Sequence, residues 1–196
     1  MLRLLSIFAV VGISLFLTSC YTISKKECLA GDWKGIGFTD GFNGYQPQAR
    51  FEGHIKSCKR VKVVPNLTLW NQGYKKGLLR YCTGWSGLWE GQHGYSYNGL
   101  CPPKTEAEFL RGHEVGYRQY SLKSKLEQLE DDYEDEEKRL KELGEKRKKD
   151  PEADRYNAVS FEIQSSEREL RRINDEQSRV RTDLNEAEQE ARQFER

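Results

Sequence analysis

Four cysteines, Cys28, Cys58, Cys82 and Cys101, and three histidines, His54, His93 and His113, are the residues best equipped for chemistry. Thiols and imidazoles can hold zinc or form nucleophile–base pairs, and both roles show as recognisable spacings. The gaps between successive cysteines are 30, 24 and 19 residues, and neither a Cys-x-x-Cys nor a His-x-x-x-His pair occurs. A Gly-x-Ser-x-Gly turn is also missing, so no nucleophile, base and orienting group can be assigned. The reading is therefore of no enzyme, no metal site and no cofactor. An even set of thiols in an oxidising compartment implies two disulfides, for which four cysteines allow three pairings. The histidines are expected to pack or to face solvent.

A fifth cysteine, Cys20, sets the compartment. Arg3 precedes an apolar run from Leu4 to Leu17, too short to span a bilayer comfortably and suited to a removable signal. Leu17-Thr18-Ser19-Cys20 resembles the lipobox of bacterial lipoproteins. That resemblance implies a signal peptide of residues 1–19, cleavage before Cys20, acyl chains on its thiol and a lipidated tether over 20–27. Two or more chains give stable membrane anchoring. Tyr21 stands where an aspartate favours retention in the inner membrane in enterobacterial sorting, so a periplasm-facing outer-membrane location is expected.

Composition divides the mature chain near Tyr120. Residues 21–120 hold 14 Lys/Arg against 8 Asp/Glu and all four tryptophans, whereas 121–196 hold 17 against 23 and no Trp, His or Cys. The near-neutral total thus hides a +6 region followed by a −6 region. The first region repeats a pattern: Gly37-x-x-x-Gly41-Phe42-x-x-Tyr45, Gly73-x-x-x-Gly77-Leu78-x-x-Tyr81 and Gly112-x-x-x-Gly116-Tyr117-x-x-Tyr120. On a helix, each glycine pair forms one smooth face against which another backbone can lie. The competing reading takes Asp40-Gly41 and Asn43-Gly44 as turns. Helical placement brings Cys28 to Cys58 across an antiparallel hairpin, and Cys82 to Cys101 around a glycine-rich loop, Thr83 to Leu100.

Asp32-Trp33-x-x-Ile36-Gly37-x-x-Asp40-Gly41-x-x-Gly44, Gly73-Tyr74-x-x-Gly77-Leu78-x-x-Tyr81-Cys82 and Trp89-Glu90-Gly91 through Tyr97-Asn98-Gly99-Leu100-Cys101-Pro102 carry a resemblance. Over roughly residues 28–120 the chain resembles the proteobacterial lipoproteins of domain-of-unknown-function family 2799. The family has no assigned activity, so the resemblance implies no site residue.

Beyond it, Leu122, Leu126, Leu129, Tyr133, Glu136, Leu140 and Leu143 fall at alternating steps of four and three. The pattern resumes after Pro151 with Tyr156, Val159, Ile163, Ser166, Leu170, Ile173, Gln177, Val180, Leu184, Ala187, Ala191 and Phe194. These are coiled-coil heptads, and a proline between them marks a bend. The expected fold is mainly α: a small disulfide-stapled helical domain over 28–120, then a long antiparallel helical hairpin over 121–196 with arms of roughly 66 Å. A bend centred on Pro151 sets Gln128 opposite Asp175. A parallel homodimer is the rival arrangement.

The expected role is that of a non-enzymatic envelope module, bound to the membrane through Cys20 and presenting the coiled coil to a protein partner or to itself. The alternative is a cell-wall glycan-binding module using the aromatics around Trp85 and Trp89, part of a cluster with Trp70, Tyr74, Tyr95 and Tyr97. A periplasmic location argues against nucleic acid. The basic run Lys56 to Lys62 reads as a solvated face that could rest on anionic lipid or on the acidic extension.

Overall fold

The computed structural model describes residues 21–150, 152 and 158–194. The signal segment, Cys20, Pro151 and Tyr156 lie outside the described residues. The fold is mainly α, with helices α1 (Lys25–Ala30), α2 (Trp33–Phe42), α3 (Pro47–Cys58), α4 (Leu67–Tyr81), α5 (Gly84–Gln92), α6 (Pro103–Lys149) and α7 (Ala158–Ala191). Disulfides join Cys28 to Cys58 and Cys82 to Cys101, with Cα atoms 5.5 and 5.6 Å apart. In the loop-entropy model each contributes about 3 to 4 kcal/mol. The chain divides into two compact units, Met1–Gly77 and Leu78–Arg196, with the boundary inside α4.

In the first unit α2 lies directly on α4. A Cβ on Gly37 would land on the carbonyl of Trp70, one on Gly73 on that of Lys34, and one on Gly77 on that of Phe38. Glycine lowers helix propensity by about 1 kcal/mol, and here that cost permits backbone-to-backbone packing. Gly41 closes α2 and Gly44, at φ 64°, makes the turn after it, so the first repeat is both helix and turn. Trp33, Phe51, Trp70 and Tyr74 are buried, with Trp70 stacked on Tyr74 at 4.9 Å between centroids.

The second unit repeats the device with α5 and α6. A Cβ on Gly87 would land on Phe109 O, on Gly91 on His113 O, on Gly112 on Gly84 O and on Gly116 on Leu88 O. The expectation of a loop from Thr83 to Leu100 is corrected: residues 84–92 are helical, capped by the Thr83 hydroxyl, and Gly87-x-x-x-Gly91 is a fourth copy of the glycine pair. Glycine content alone suggested a loop, whereas glycine spacing matched a partner face on α6. Gly37, Asp40, Gly41, Gly44 and Tyr45 recur fifty residues on as Gly87, Glu90, Gly91, Gly94 and Tyr95. The turns also match, since the Tyr45 amide donates to Asp40 O and the Tyr95 amide to Glu90 O.

Within this unit α6 continues without a break through the compositional step at Tyr120 and pairs antiparallel with α7. Leu129, Ile173 and Val180 form one apolar cluster, and Leu143, Val159 and Ile163 another. Polar seam positions are paired across the hairpin: Gln177 Nε2 donates to Leu129 O at 3.1 Å, Gln119 Nε2 to Ala187 O at 2.9 Å, and the Ser166 hydroxyl to Glu136. The residue numbers of the two amide bonds each sum to 306 and those of Ser166 and Glu136 to 302, so the pairing register of the two arms is bracketed within one helical turn. Together the three bonds set Gln128 opposite the turn of α7 from 174 to 178, which contains both the expected Asp175 and Ser178. At the base Ala191 and Phe194 pack with Leu88 and Val115.

Candidate functional site

The side-chain constellation most like a reaction centre lies in the first unit. Arg50, His54 and Ser57 follow one another at four and three residues on α3, so one helix face carries all three inward. His54 Nε2 is 2.6 Å from Asp40 Oδ2, and its Nδ1 is 2.7 Å from the Thr22 hydroxyl. Asp40 also accepts from Arg50 Nε at 2.6 Å and from the Trp70 indole at 2.9 Å. The Ser57 hydroxyl donates to Gly53 O, accepts from the Thr22 amide and lies 3.2 Å from the Thr22 hydroxyl. Asp40, His54 and Ser57 are buried.

Protonation follows from this geometry. Burial alone would push the Asp40 carboxyl up, but hydrogen bonds from His54, Arg50 and Trp70 outweigh it and hold the group below its ordinary value of 3.8. Burial and then the Asp40 charge push the Tyr74 phenol up to about 12, and its hydroxyl donates to Tyr45 O at 2.7 Å. With Asp40 ionised, its Oδ2 accepts from His54 Nε2, and His54 Nδ1 shares a hydrogen bond with the Thr22 hydroxyl. A hydroxyl, an imidazole and a carboxylate are thus linked in series, the connectivity of a hydrolase triad. The series also fastens chain to chain, because Thr22 belongs to the segment ahead of α1 while His54 and Ser57 belong to α3.

A cavity of about 380 Å³ opens beside it, lined by Thr22, Glu27, Asp32, Thr39, Asp40 and Arg50 among others. Glu27 caps α1 through Ser24, and Asp32 caps α2 at the Gly35 amide. Among the described residues no group of three or more His, Cys, Asp or Glu is placed to hold a metal ion.

The second unit offers a surface. Trp89 packs against His93 in a tilted pair with ring centroids 4.1 Å apart and lies 6.0 Å from Tyr95, while His113, Tyr117 and Tyr120 follow along α6 at spacings near 6 Å. His113 Nε2 bonds Tyr95 O, and a Cβ on Gly94 would meet the Tyr120 ring, so the rings of α5 and α6 form one strip. Trp85, Trp89, Tyr95, Tyr117 and Tyr120 are exposed. The expected aromatic cluster is therefore divided: Trp70 and Tyr74 are core, Tyr97 bonds Glu106 and the Cys101 amide, and only Trp85, Trp89 and Tyr95 belong to this face.

Sequence reasoning located His93 and His113 among surface or packing residues, and missed that His54 bridges Asp40 and Thr22. The signal available was the polar series 50, 54 and 57 on the face of α3 that also carries Phe51.

Residues 32–118 match the family model described as a protein of unknown function, DUF2799. Over that stretch the chain is similar to the DUF2799 family. The stretch takes in α2 to α5 and the start of α6, and hence both glycine-faced helix pairs, Asp40, His54 and the aromatic strip as far as Tyr117. The DUF2799 match ends at Arg118, so most of the α6–α7 hairpin lies beyond it. Comparison with curated proteins and with solved structures finds no match.

Proposed function

We propose that this protein is a lipid-anchored, non-enzymatic envelope module that faces the periplasm from the outer membrane and presents its helical hairpin to a protein partner. The observation that carries this reading is the seam of α6 and α7. Its polar positions are satisfied within one chain, which leaves the outward faces for contact, including Phe161 at 65% exposed. The triad-like series supports a fastening role rather than catalysis, because Asp40 is held by three donors and His54 is engaged at both nitrogens with no exposed face.

The test has two parts. A photoreactive residue in place of Phe161 should yield a discrete adduct in cells, and the absence of any adduct there and along the neighbouring outward positions of α7 would refute the contact. Cys20→Ala should abolish labelling by palmitate and release the protein from membranes, whereas unchanged labelling would refute the anchor.

A second reading rests on the aromatic strip. Rings exposed side by side are suited to stacking on the apolar faces of sugars. Retention on cell-wall glycan that is lost in Trp89→Ala, with the hairpin intact, would favour this reading over the first.

A further inference from the structure

We infer that the first unit seats itself on an anionic phospholipid bilayer through the basic face formed by α1, the end of α3 and the turn after it. Six of the unit's cations, Lys25, Lys26, Lys56, Lys59, Arg60 and Lys62, belong to these elements. Residues 21–77 hold ten Lys/Arg against four Asp/Glu, whereas 78–120 hold four of each, so the whole excess of the first region belongs to this unit. Three of its acids are directed elsewhere: Asp40 is buried, and Glu27 and Asp32 cap helices. Its eight lysines are all exposed and none forms an ion pair among the described residues.

The chain entering the unit is fixed to this face. Arg60 donates to Ile23 O at 2.7 Å and its guanidinium lies 3.9 Å over the Tyr21 ring, while Thr22 is bonded to His54 and Ser57. The Cys28–Cys58 disulfide holds α1 against the turn Lys59–Val61. Of the tether expected over 20–27, residues 21–27 are therefore bonded into the unit, and Tyr21 lies on Arg60, in the segment that also carries the exposed Lys56, Lys59 and Lys62. Two apolar side chains stand out among these cations, Val64 at 86% and Leu29 at 67% exposed. Cations interleaved with exposed apolar groups suit the headgroup boundary, where each basic side chain adds to attraction for anionic lipid within a Debye length.

The experiment uses the full mature chain with Cys20→Ser, so that no acyl group contributes and the seating fails or stands separately from the anchor. It should cosediment with vesicles of phosphatidylglycerol and phosphatidylcholine and not with phosphatidylcholine alone, and added salt should release it. Replacing Lys56, Lys59 and Lys62 by glutamine should weaken binding about a hundredfold. Neutralising Arg80, Lys104 and Arg111 instead should change it by less than about threefold. Intact disulfides and an unchanged melting profile establish that each variant is folded. Equal binding to both vesicle types, no binding to either, or equal loss in the two triple variants would overturn the inference. So would lysine-dependent association of one copy with the acidic hairpin of another in the absence of vesicle binding.

Discussion

The hydroxyl of Thr22 lies 2.7 Å from Nδ1 of His54, which turns its other nitrogen to Asp40 at 2.6 Å. In a hydrolase this series would activate the hydroxyl. Here it ties the entering chain to α3. A fluorophosphonate probe should therefore leave the protein unlabelled, while Thr22→Val should lower unfolding free energy by about 1 kcal/mol in urea. Adducts that disappear in Thr22→Val would instead establish a nucleophile.

Acid should loosen the same network. Asp40 is held below its ordinary value of 3.8, so its contribution is fully present above that pH and is lost as pH falls through the lower folded value. Thermal melts from pH 5 downward should show a falling midpoint below about 4. Asp40→Asn should be less stable at neutral pH and should show a smaller fall across that window. An equal slope in the variant would place the acid sensitivity elsewhere.

Two glycines of α6 should respond oppositely to alanine. Gly112 has no room, because an added Cβ meets the backbone of Gly84, whereas Gly144 has nothing within 4 Å. Gly112→Ala should cost about 2 kcal/mol or more, by the rule for overpacking. Gly144→Ala should gain about 0.5 to 1 kcal/mol, since alanine loses less backbone entropy on folding. Denaturation midpoints measured side by side check both signs.

Hairpin register is open to direct measurement. Spin labels on Gln128 and Ser178 in a dilute monomer should give a distance within about 30 Å, allowing about 10 Å between helices and the rest for the labels. A longer distance, or one that appears only on self-association, would contradict the antiparallel pairing within one chain.

The sequence made the architecture legible where physics is periodic. Heptads on either side of Pro151 implied an antiparallel pair, and buried positions such as Leu129, Leu143, Ile163 and Ile173 are those the pattern named. The cysteine pairing followed from placing Cys58, Cys82 and Cys101 near helix ends, although Cys28 lies in a short helix of its own, α1, rather than on the helix through Gly37. Register was legible to within one helical turn, because the proline signals a bend without fixing its length, and the cross-hairpin bonds bracket the expected pairing. Helix α5 was hidden by its glycines, which depress propensity and disclose their purpose only beside Gly112 and Gly116. The buried network joins residues 22, 40, 54 and 57 from three separate segments, and no local spacing links Thr22 to α3.

Helix α6 is seated on α5 through Gly112 and Gly116 and then runs unbroken to Lys149. From Gly116 to the tip is about 50 Å at the α-helical rise, so a tilt of ten degrees at the seat would sweep the tip through about 9 Å. Backbone-on-backbone contact leaves little slack for such a tilt, and Phe194 wedged at Gly84 braces the returning arm at the same end. The hairpin is thus built as a stiff lever. A pull on its far end is delivered to the α5–α6 joint and the Cys82–Cys101 staple, rather than dissipated along the arm.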